Sequence, residues 1–500
     1  MNQTNKFPGL GPAAQAFIAK PKKLLIGGQW LDPVEGKTFD TIDPATESVI
    51  CTLPEASRVD VDRAVKAARK AFDDSAWSRM LPAQRERLMM KLADLMEANA
   101  DELAQLESLD NGKTVFMARI IDVQGAIDFF RYMAGWATKI EGRTLDVSIG
   151  IPGAEFQAYT LRGPVGVVGQ IIPWNFPLGM AAWKLAPALA TGCTCILKPA
   201  EQTSLTALRL GELIMEAGYP PGAVNIVTGQ GETTGAALVE HPLVDKIAFT
   251  GSTPVGKLIG KTAMDTMKRI SLELGGKSPV IVGADVSLEE VIPGAANAIF
   301  FNHGQVCCAG SRLYVEHSIF DKVVSGIADI AQSMRLGPGY APGVQMGPLV
   351  SDEQMQRVLG YVEQGRKEGG EVVTGGVRHG NQGYFVRPTV ITNVGQKDTL
   401  MREEIFGPVL VASPYKSIDD IAALANDTQF GLAAGIFSNN HSFVHRLTRR
   451  LRAGTVWVNC YGFLDPNMPF GGFKQSGIGR ENGKDAIDLY TEAKTVLMKI

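Results

Sequence analysis

GPVGVVGQIIPWNFPLGMAAWKLAPALATGCTCILKP, residues 163–199, decides the fold. PVGVVGQIIPW (164–174) reads as a strand, MAAWKLAPALATG (180–192) as an apolar helix and CTCILKPA (193–200) as a second strand. Downstream the alternation continues through SLTALRLGELIMEAG, AVNIVTG, TTGAALVEH, KIAFTGS and PVGKLIGKTAM. Strands alternating with helices of this length imply parallel strands joined by crossover helices, an α/β doubly wound sheet.

A second α/β series starts at KSPVIVG (277–283) and runs through EEVIPGAANAIFFN, SRLYV and FDKVVSGIADIAQSM to GTVWVN (454–459). The two modules meet around Gly275 and Gly276. Ahead of the first module, 59–72, 83–112 and 115–138 show helical spacing, after two short stretches of strand (23–32 and 39–56). Two segments stand apart: 142–164 reads as an alternating hairpin, and DLYTEAKTVLMKI ends the chain in an extended run. A protruding hairpin and a terminal edge strand are liabilities unless another chain covers them, which favours a homo-oligomer.

Composition narrows the class. The chain has 500 residues with 45% hydrophobic and 20% charged residues, an ordinary globular balance with room for two or three domains. A net charge of −3 gives no long-range attraction to nucleic acid or an anionic membrane. No apolar run approaches the ~18 residues of a membrane span, and no leader peptide is read at the start. Six cysteines are too sparse for a disulfide scaffold, so a reducing, cytoplasmic setting is expected. None forms a C-x-x-C pair and the histidines are scattered, so no metal site is expected. Cys193 and Cys195 share one face of a strand and read as buried packing.

Chemistry concentrates in a few loops. FTGSTPVGK places Gly251, Ser252, Thr253 and Gly256 between a strand and a helix, where backbone can approach a pyrophosphate. Thr253 stands where a dinucleotide fingerprint would have its second glycine. ILKPAEQT puts Lys198 and Glu201 past a strand end, suited to ribose hydroxyls and unfavourable to a 2′-phosphate. Glu273 ends a strand in ISLELGGKSP. PWNFP holds Asn175 between Pro173 and Pro177, and a stiff, positioned amide is what an oxyanion hole needs. FNHGQVCCAGS carries Cys307 and Cys308. An unassisted thiol is only about 3% thiolate at pH 7, so a nucleophile there needs a base, a cation or a helix N-terminus. Strain argues against a bond between adjacent cysteines. His303 lies four residues before Cys307, but Gly304 between them makes a helical Cys–His dyad an unsafe reading.

Together, PWNFP, FTGST, LELGGKSP, GQVCCAGSR, EEIFGPV and PFGGFKQSGIGRE resemble the aldehyde dehydrogenase superfamily, in its order and spacings, across nearly the whole chain. The resemblance implies a dinucleotide-binding domain (1–141 and 164–275), a catalytic domain (276–482) and an oligomerisation arm (142–163 and 483–500) of a dimer or tetramer. It implies Cys307 as nucleophile, with Cys308 a neighbour without a catalytic role, and Glu273 as general base. Asn175 and the Cys307 N–H would form the oxyanion hole. NAD would be held by Trp174, Lys198, Glu201, Gly251, Ser252, Gly256, Glu404 and Phe406. The aldehyde tunnel would map to Phe176, Met180, Trp183, Phe301, Leu464 and Phe470, widened by Gly179 and Gly462.

That tunnel is aromatic and apolar, so an aromatic or long apolar aldehyde such as phenylacetaldehyde is expected. NFPLGMAAWK and RTLDVSI are similar in texture to bacterial family members acting on that compound. Glu273 favours release of a free acid over acyl transfer to coenzyme A. The competing readings are a broad-specificity aldehyde dehydrogenase, a non-catalytic binding or structural protein, and a cofactor-free thiol esterase.

Overall fold

The computed structural model describes residue 7 and residues 9–500. Five parallel strands form the heart of the first sheet. In spatial order they are Arg269–Glu273, Lys246–Thr250, Val167–Ile171, Thr194–Lys198 and Val224–Ile226. Chain order therefore reverses between Val167–Ile171 and Lys246–Thr250. In open α/β sheets that reversal opens a crevice beyond the strands' carboxyl ends, where ligands bind. Antiparallel strands extend both edges: Leu24–Ile26 and Gln29–Leu31 on one side, Gly477–Ile478 on the other.

Val167–Ile171, Thr194–Lys198 and Lys246–Thr250 are buried at every position, as parallel strands covered on both faces must be. Successive side chains of a strand point to opposite faces. Val168, Cys195, Leu197 and Ala248 accordingly enter one core, while Val167, Ile196, Ile247 and Phe249 enter another. Cys193 joins Cys195 in the first of these cores.

The second sheet has seven strands, in the order Glu371–Thr374, Thr389–Thr392, Val409–Tyr415, Arg312–Glu316, Pro279–Val282, Ala433–Phe437 and Thr455–Val458. Only the Glu371–Thr374 edge is antiparallel. It too is covered on both faces: Val280, Val282 and Leu313 enter one core, Ile281 and Tyr314 another. Both modules are thus doubly wound.

A three-stranded antiparallel sheet pairs Thr491–Lys499 with Phe156–Pro164 over nine rungs, and Phe156–Pro164 with Thr144–Leu145. The hairpin expected over 142–164 has a first strand only two residues long. Gly150, Pro152 and Gly153 follow it, and a proline without an N–H between two glycines cannot extend a ladder. Leu161, Leu497 and Met498 on this sheet are exposed. Two short pieces near the C-terminus return to the first module: Gly477–Ile478 pairs with Arg269–Glu273, and Ala486, Ile487 and Tyr490 are buried in its core. No helix among the described residues is long and apolar enough to cross a membrane.

Candidate active site

The carboxyl ends of the first sheet bring several of the singled-out residues to one edge of that sheet. Ile171 is followed by Pro173, Trp174 and Asn175, and Thr250 by Gly251 and Ser252; Glu273 and Lys198 end their own strands. Pro177 then starts the helix Pro177–Thr191, where a missing N–H costs nothing. Asn175 is buried, and its Nδ2 donates to the main-chain carbonyl of Gln305 over 2.8 Å. Gly251 N–H donates to the carbonyl of Glu273 over 3.0 Å, locking the two strand ends together.

The cysteine loop leaves the helix Leu288–Phe300 through three left-handed residues: Asn302 (φ 46°), His303 (φ 58°) and Gly304 (φ 69°). His303 Nε2 accepts from Gly347 N–H (3.1 Å), and its Nδ1 lies 3.3 Å from Gln305 Nε2. Burial, with the Lys113 charge adding to it, lowers the imidazole to about 3, so it stays neutral. His303 is a strut of the loop, held through Nε2 by the Gly347 N–H. Gln305 Oε1 accepts from Val350 N–H (3.1 Å), and Tyr461 Oη donates to the Cys308 carbonyl (2.6 Å).

Gly276 joins this loop to Glu273. A Cβ at Gly276 would stand 2.3 Å from the Cys307 carbonyl oxygen, so only glycine lets the two backbones approach. Both Glu273 carboxyl oxygens are buried without a hydrogen-bond partner. Burial first, then the negative charge of Glu481, pushes this carboxyl well above its ordinary value, against the pull of Lys184 and Arg480. The Cys307 thiol is also pushed well up. Its hydrogen bond with Cys308 is the largest cause, followed by burial and the charges of Cys308, Glu404 and Glu273. None of these causes is a cation among the described residues.

On the opposite side, Lys198 Nζ meets Glu201 Oε2 at 3.1 Å. Burial lowers the lysine, and Glu201 opposes that. Ser252 is the N-cap of the helix Thr253–Ala263, and its hydroxyl makes no capping bond. A Cβ at Gly256 would meet Leu274 Cδ2 at 2.4 Å, so this glycine serves close helix packing rather than open space. Glu404 Oε1 accepts from Gly276 N–H (2.8 Å), and burial raises its carboxyl to about 7. Phe406, held at φ 61°, meets Trp174 edge to face at 5.2 Å.

The apolar residues form pairs. Phe176 stacks on Phe301 at 6.1 Å, and Trp183 meets Phe470 edge-on at 5.5 Å. Phe129, absent from the sequence-based set, packs on Trp183 at 6.1 Å. Met180 is half-buried one helical turn before Trp183, whereas Leu464 is exposed two residues after Gly462. Beyond Gly179, the nearest side-chain atoms are Phe176 Cβ (3.8 Å) and Asp122 Oδ1 (3.9 Å), so this position leaves space.

Sequence reasoning missed the buried ion pair of Lys184 and Glu481, whose charges act on Glu273. A lone lysine inside the apolar helix MAAWKLAPALA was the available signal. Among the described residues no group of three or more His, Cys, Asp or Glu side chains could hold a metal ion.

A cysteine loop, a positioned amide and a buried carboxyl thus lie together where the two doubly wound modules meet. The model of the aldehyde dehydrogenase family matches residues 30–496, and the chain belongs to that family. It is 51% identical over 481 residues to phenylacetaldehyde dehydrogenase of Pseudomonas fluorescens, covering 96% of each chain. The structure of an aldehyde dehydrogenase from Bacillus cereus as its NAD+ complex superposes with a TM-score of 0.96 at 49% identity, covering 98% of this chain and 99% of that one. Betaine aldehyde dehydrogenase of Staphylococcus aureus, solved with NAD+, gives a TM-score of 0.94 at 37% identity, covering 98% and 97%.

Proposed function

We propose that this aldehyde dehydrogenase oxidises an aromatic or apolar aldehyde, phenylacetaldehyde foremost, to the carboxylic acid with NAD. One observation carries the reading: Gly276 brings Glu273's strand end against the backbone of Cys307, while the Asn175 amide bonds the carbonyl two residues before that cysteine. That proximity supports Cys307 as nucleophile, Asn175 as oxyanion donor and Glu273 as base of one site.

The residues present fit the dinucleotide. Lys198 and Glu201 suit the adenosine ribose, and the carboxylate of Glu201 disfavours a 2′-phosphate. Ser252, with a hydroxyl unused in capping, and Gly251 stand at a helix N-terminus suited to the pyrophosphate. Glu404, Phe406 and Trp174 would take the nicotinamide end. When bound, NAD supplies the hydride acceptor.

Cys307 Sγ adds to the aldehyde carbon, and the Asn175 amide and the Cys307 N–H hold the resulting oxyanion. Once oxidised, the acyl group remains on sulfur as a thioester, which thiolate leaves readily. Glu273 takes a proton from the water that attacks it, a task suited to a carboxyl raised by burial. The paired aromatic walls Phe176–Phe301 and Trp183–Phe470 offer flat apolar surfaces to an aromatic substrate.

Measuring NADH absorbance with phenylacetaldehyde, hexanal and betaine aldehyde tests the reading. The highest kcat/KM is expected for phenylacetaldehyde; preference for betaine aldehyde would overturn the substrate assignment. No turnover with any aldehyde, or none lost in Cys307→Ala, would overturn the mechanism. The exposed apolar residues Leu161, Leu497 and Met498 support a homo-oligomer built on the three-stranded sheet, which light scattering would reveal as a dimer or tetramer.

A further inference from the structure

The main-chain carbonyl of Asn175 is a meeting point of donors. Lys113 Nζ reaches it at 2.9 Å, Asn302 Nδ2 at 3.0 Å and Asn111 Nδ2 at 3.4 Å. Of the three, only Lys113 brings a charge. Its ammonium also donates to both carboxylate oxygens of Asp122, each at 2.8 Å, and lies 4.3 Å from the centre of the Phe176 ring. The side chains of Lys113 and Asp122 are 2% and 0% exposed.

Two local irregularities bring this pair under the loop. Gly112, at φ 94°, ends the helix Ala100–Asn111 and turns the chain so that Lys113 points inward. Asp122 sits in a π-helical turn, Ala118–Val123, and such turns displace side chains from the face a regular helix would give them.

A buried ion pair is weak evidence for stability, because desolvating the two charges offsets much of their attraction. Here the pair has a directional use. It presents one charge-assisted donor to the carbonyl of the residue whose side-chain amide is the proposed oxyanion donor. With the carbonyl held by Lys113 and Nδ2 held by the Gln305 carbonyl, Asn175 is fixed from both ends. We infer that Lys113 is a positioning residue for the Asn175 amide, setting the oxyanion donor through the main-chain carbonyl of the same residue. The inference rests on the roles proposed above for Cys307 and Asn175. Displacing a catalytic group by about 1 Å can cost roughly 10²-fold, so loss of Lys113 should lower kcat by about 10- to 100-fold.

The test compares Lys113→Met and the charge-removing double variant Lys113→Met/Asp122→Leu with the unmodified enzyme. Four quantities are read: kcat for aldehyde oxidation, kcat for cofactor-free hydrolysis of p-nitrophenyl acetate, the rate of Cys307 alkylation by iodoacetamide, and the Kd for NAD. Oxidation and ester hydrolysis both place an oxyanion beside Asn175, whereas alkylation forms none. Both kcat values should fall together while alkylation and NAD binding stay within about twofold of the original. Equal loss in all four, or no loss in kcat, would overturn the inference. So would failure of both variants to fold, since the pair would then serve stability. Cys307→Ala is run alongside: activity surviving in it defeats the parent mechanism, whereas activity lost in it but kept in the Lys113 variants defeats only the positioning role.

Discussion

Asn175 Nδ2 and the carbonyl of Gln305 lie 2.8 Å apart, a hydrogen bond between the loop after the strand Val167–Ile171 and the cysteine loop at the entrance to the second sheet. It couples the two modules where they face each other. Asn175→Ala removes the proposed oxyanion donor together with this tie. Loss of one such donor costs about 10²–10³ in kcat, and that fall is expected for oxidation and ester hydrolysis alike. Steady-state kinetics with an NAD-binding measurement check it; a change confined to NAD affinity would refute the assignment.

Cys308 is the largest influence on its neighbour, through a hydrogen bond that raises the Cys307 thiol. Cys308→Ala should therefore move the pH profile of Cys307 alkylation toward acid. At fixed pH near 8 the variant should react faster, because more of its thiol is ionised. Iodoacetamide kinetics between about pH 6 and 10 give the answer, with an unshifted or alkaline-shifted profile as the contrary outcome.

Glu273→Gln should separate the two halves of the reaction. The first turnover should still release NADH as a burst, while steady-state acid production falls by about 10²–10⁴-fold as general-base assistance to water is lost. In the parent enzyme the base must be deprotonated, so hydrolysis should rise with pH through the raised Glu273 value. The sign for stability is opposite. The native state keeps its proton to higher pH than the unfolded chain, so this group lowers stability as pH rises from the ordinary carboxylate range to the raised native value. Glu273→Gln should consequently melt higher than the parent above that range, with the gap closing on acidification; calorimetry at a series of pH values checks it.

Lys184 opposes the rise of Glu273, and its ion pair with Glu481 is buried. Lys184→Met leaves Glu481 buried without its cation, a change that typically destabilises by about 3–5 kcal/mol. Any folded enzyme should show the acid limb of its pH–rate profile displaced toward alkaline pH. Denaturant titration and a pH–rate series provide the two readouts.

Architecture was legible where periodicity and loop chemistry coincide. Val167–Ile171, Pro177–Thr191 and Thr194–Lys198 follow from an unbroken apolar strand, a proline helix start and a second apolar strand. Asn175, Glu273 and Cys307 stood out as candidates because prolines and glycines mark their loops. What local pattern could not give was pairing over distance. Gly477–Ile478 is too short to register as a strand, yet it closes the edge of the first sheet. Asp122 lies in a stretch of helical spacing and Lys113 in the gap before it, and the left-handed Gly112 together with the π-turn brings them together. Phe406 belongs to the second module in sequence, and its edge contact with Trp174 needs both modules in place.

The return of the C-terminal segment to the first module has a consequence for how the protein is made. Glu481 pairs with Lys184 across 297 residues of sequence, and Thr491–Lys499 completes the sheet begun at Phe156–Pro164. During translation the first module emerges early but lacks its edge strand, one buried counter-ion and the core contributions of Ala486, Ile487 and Tyr490. The electrostatic surroundings of Glu273 are therefore complete only once Glu481 has been made. A polypeptide stalled before that point would carry the cysteine loop while Lys184 still lacked its buried partner.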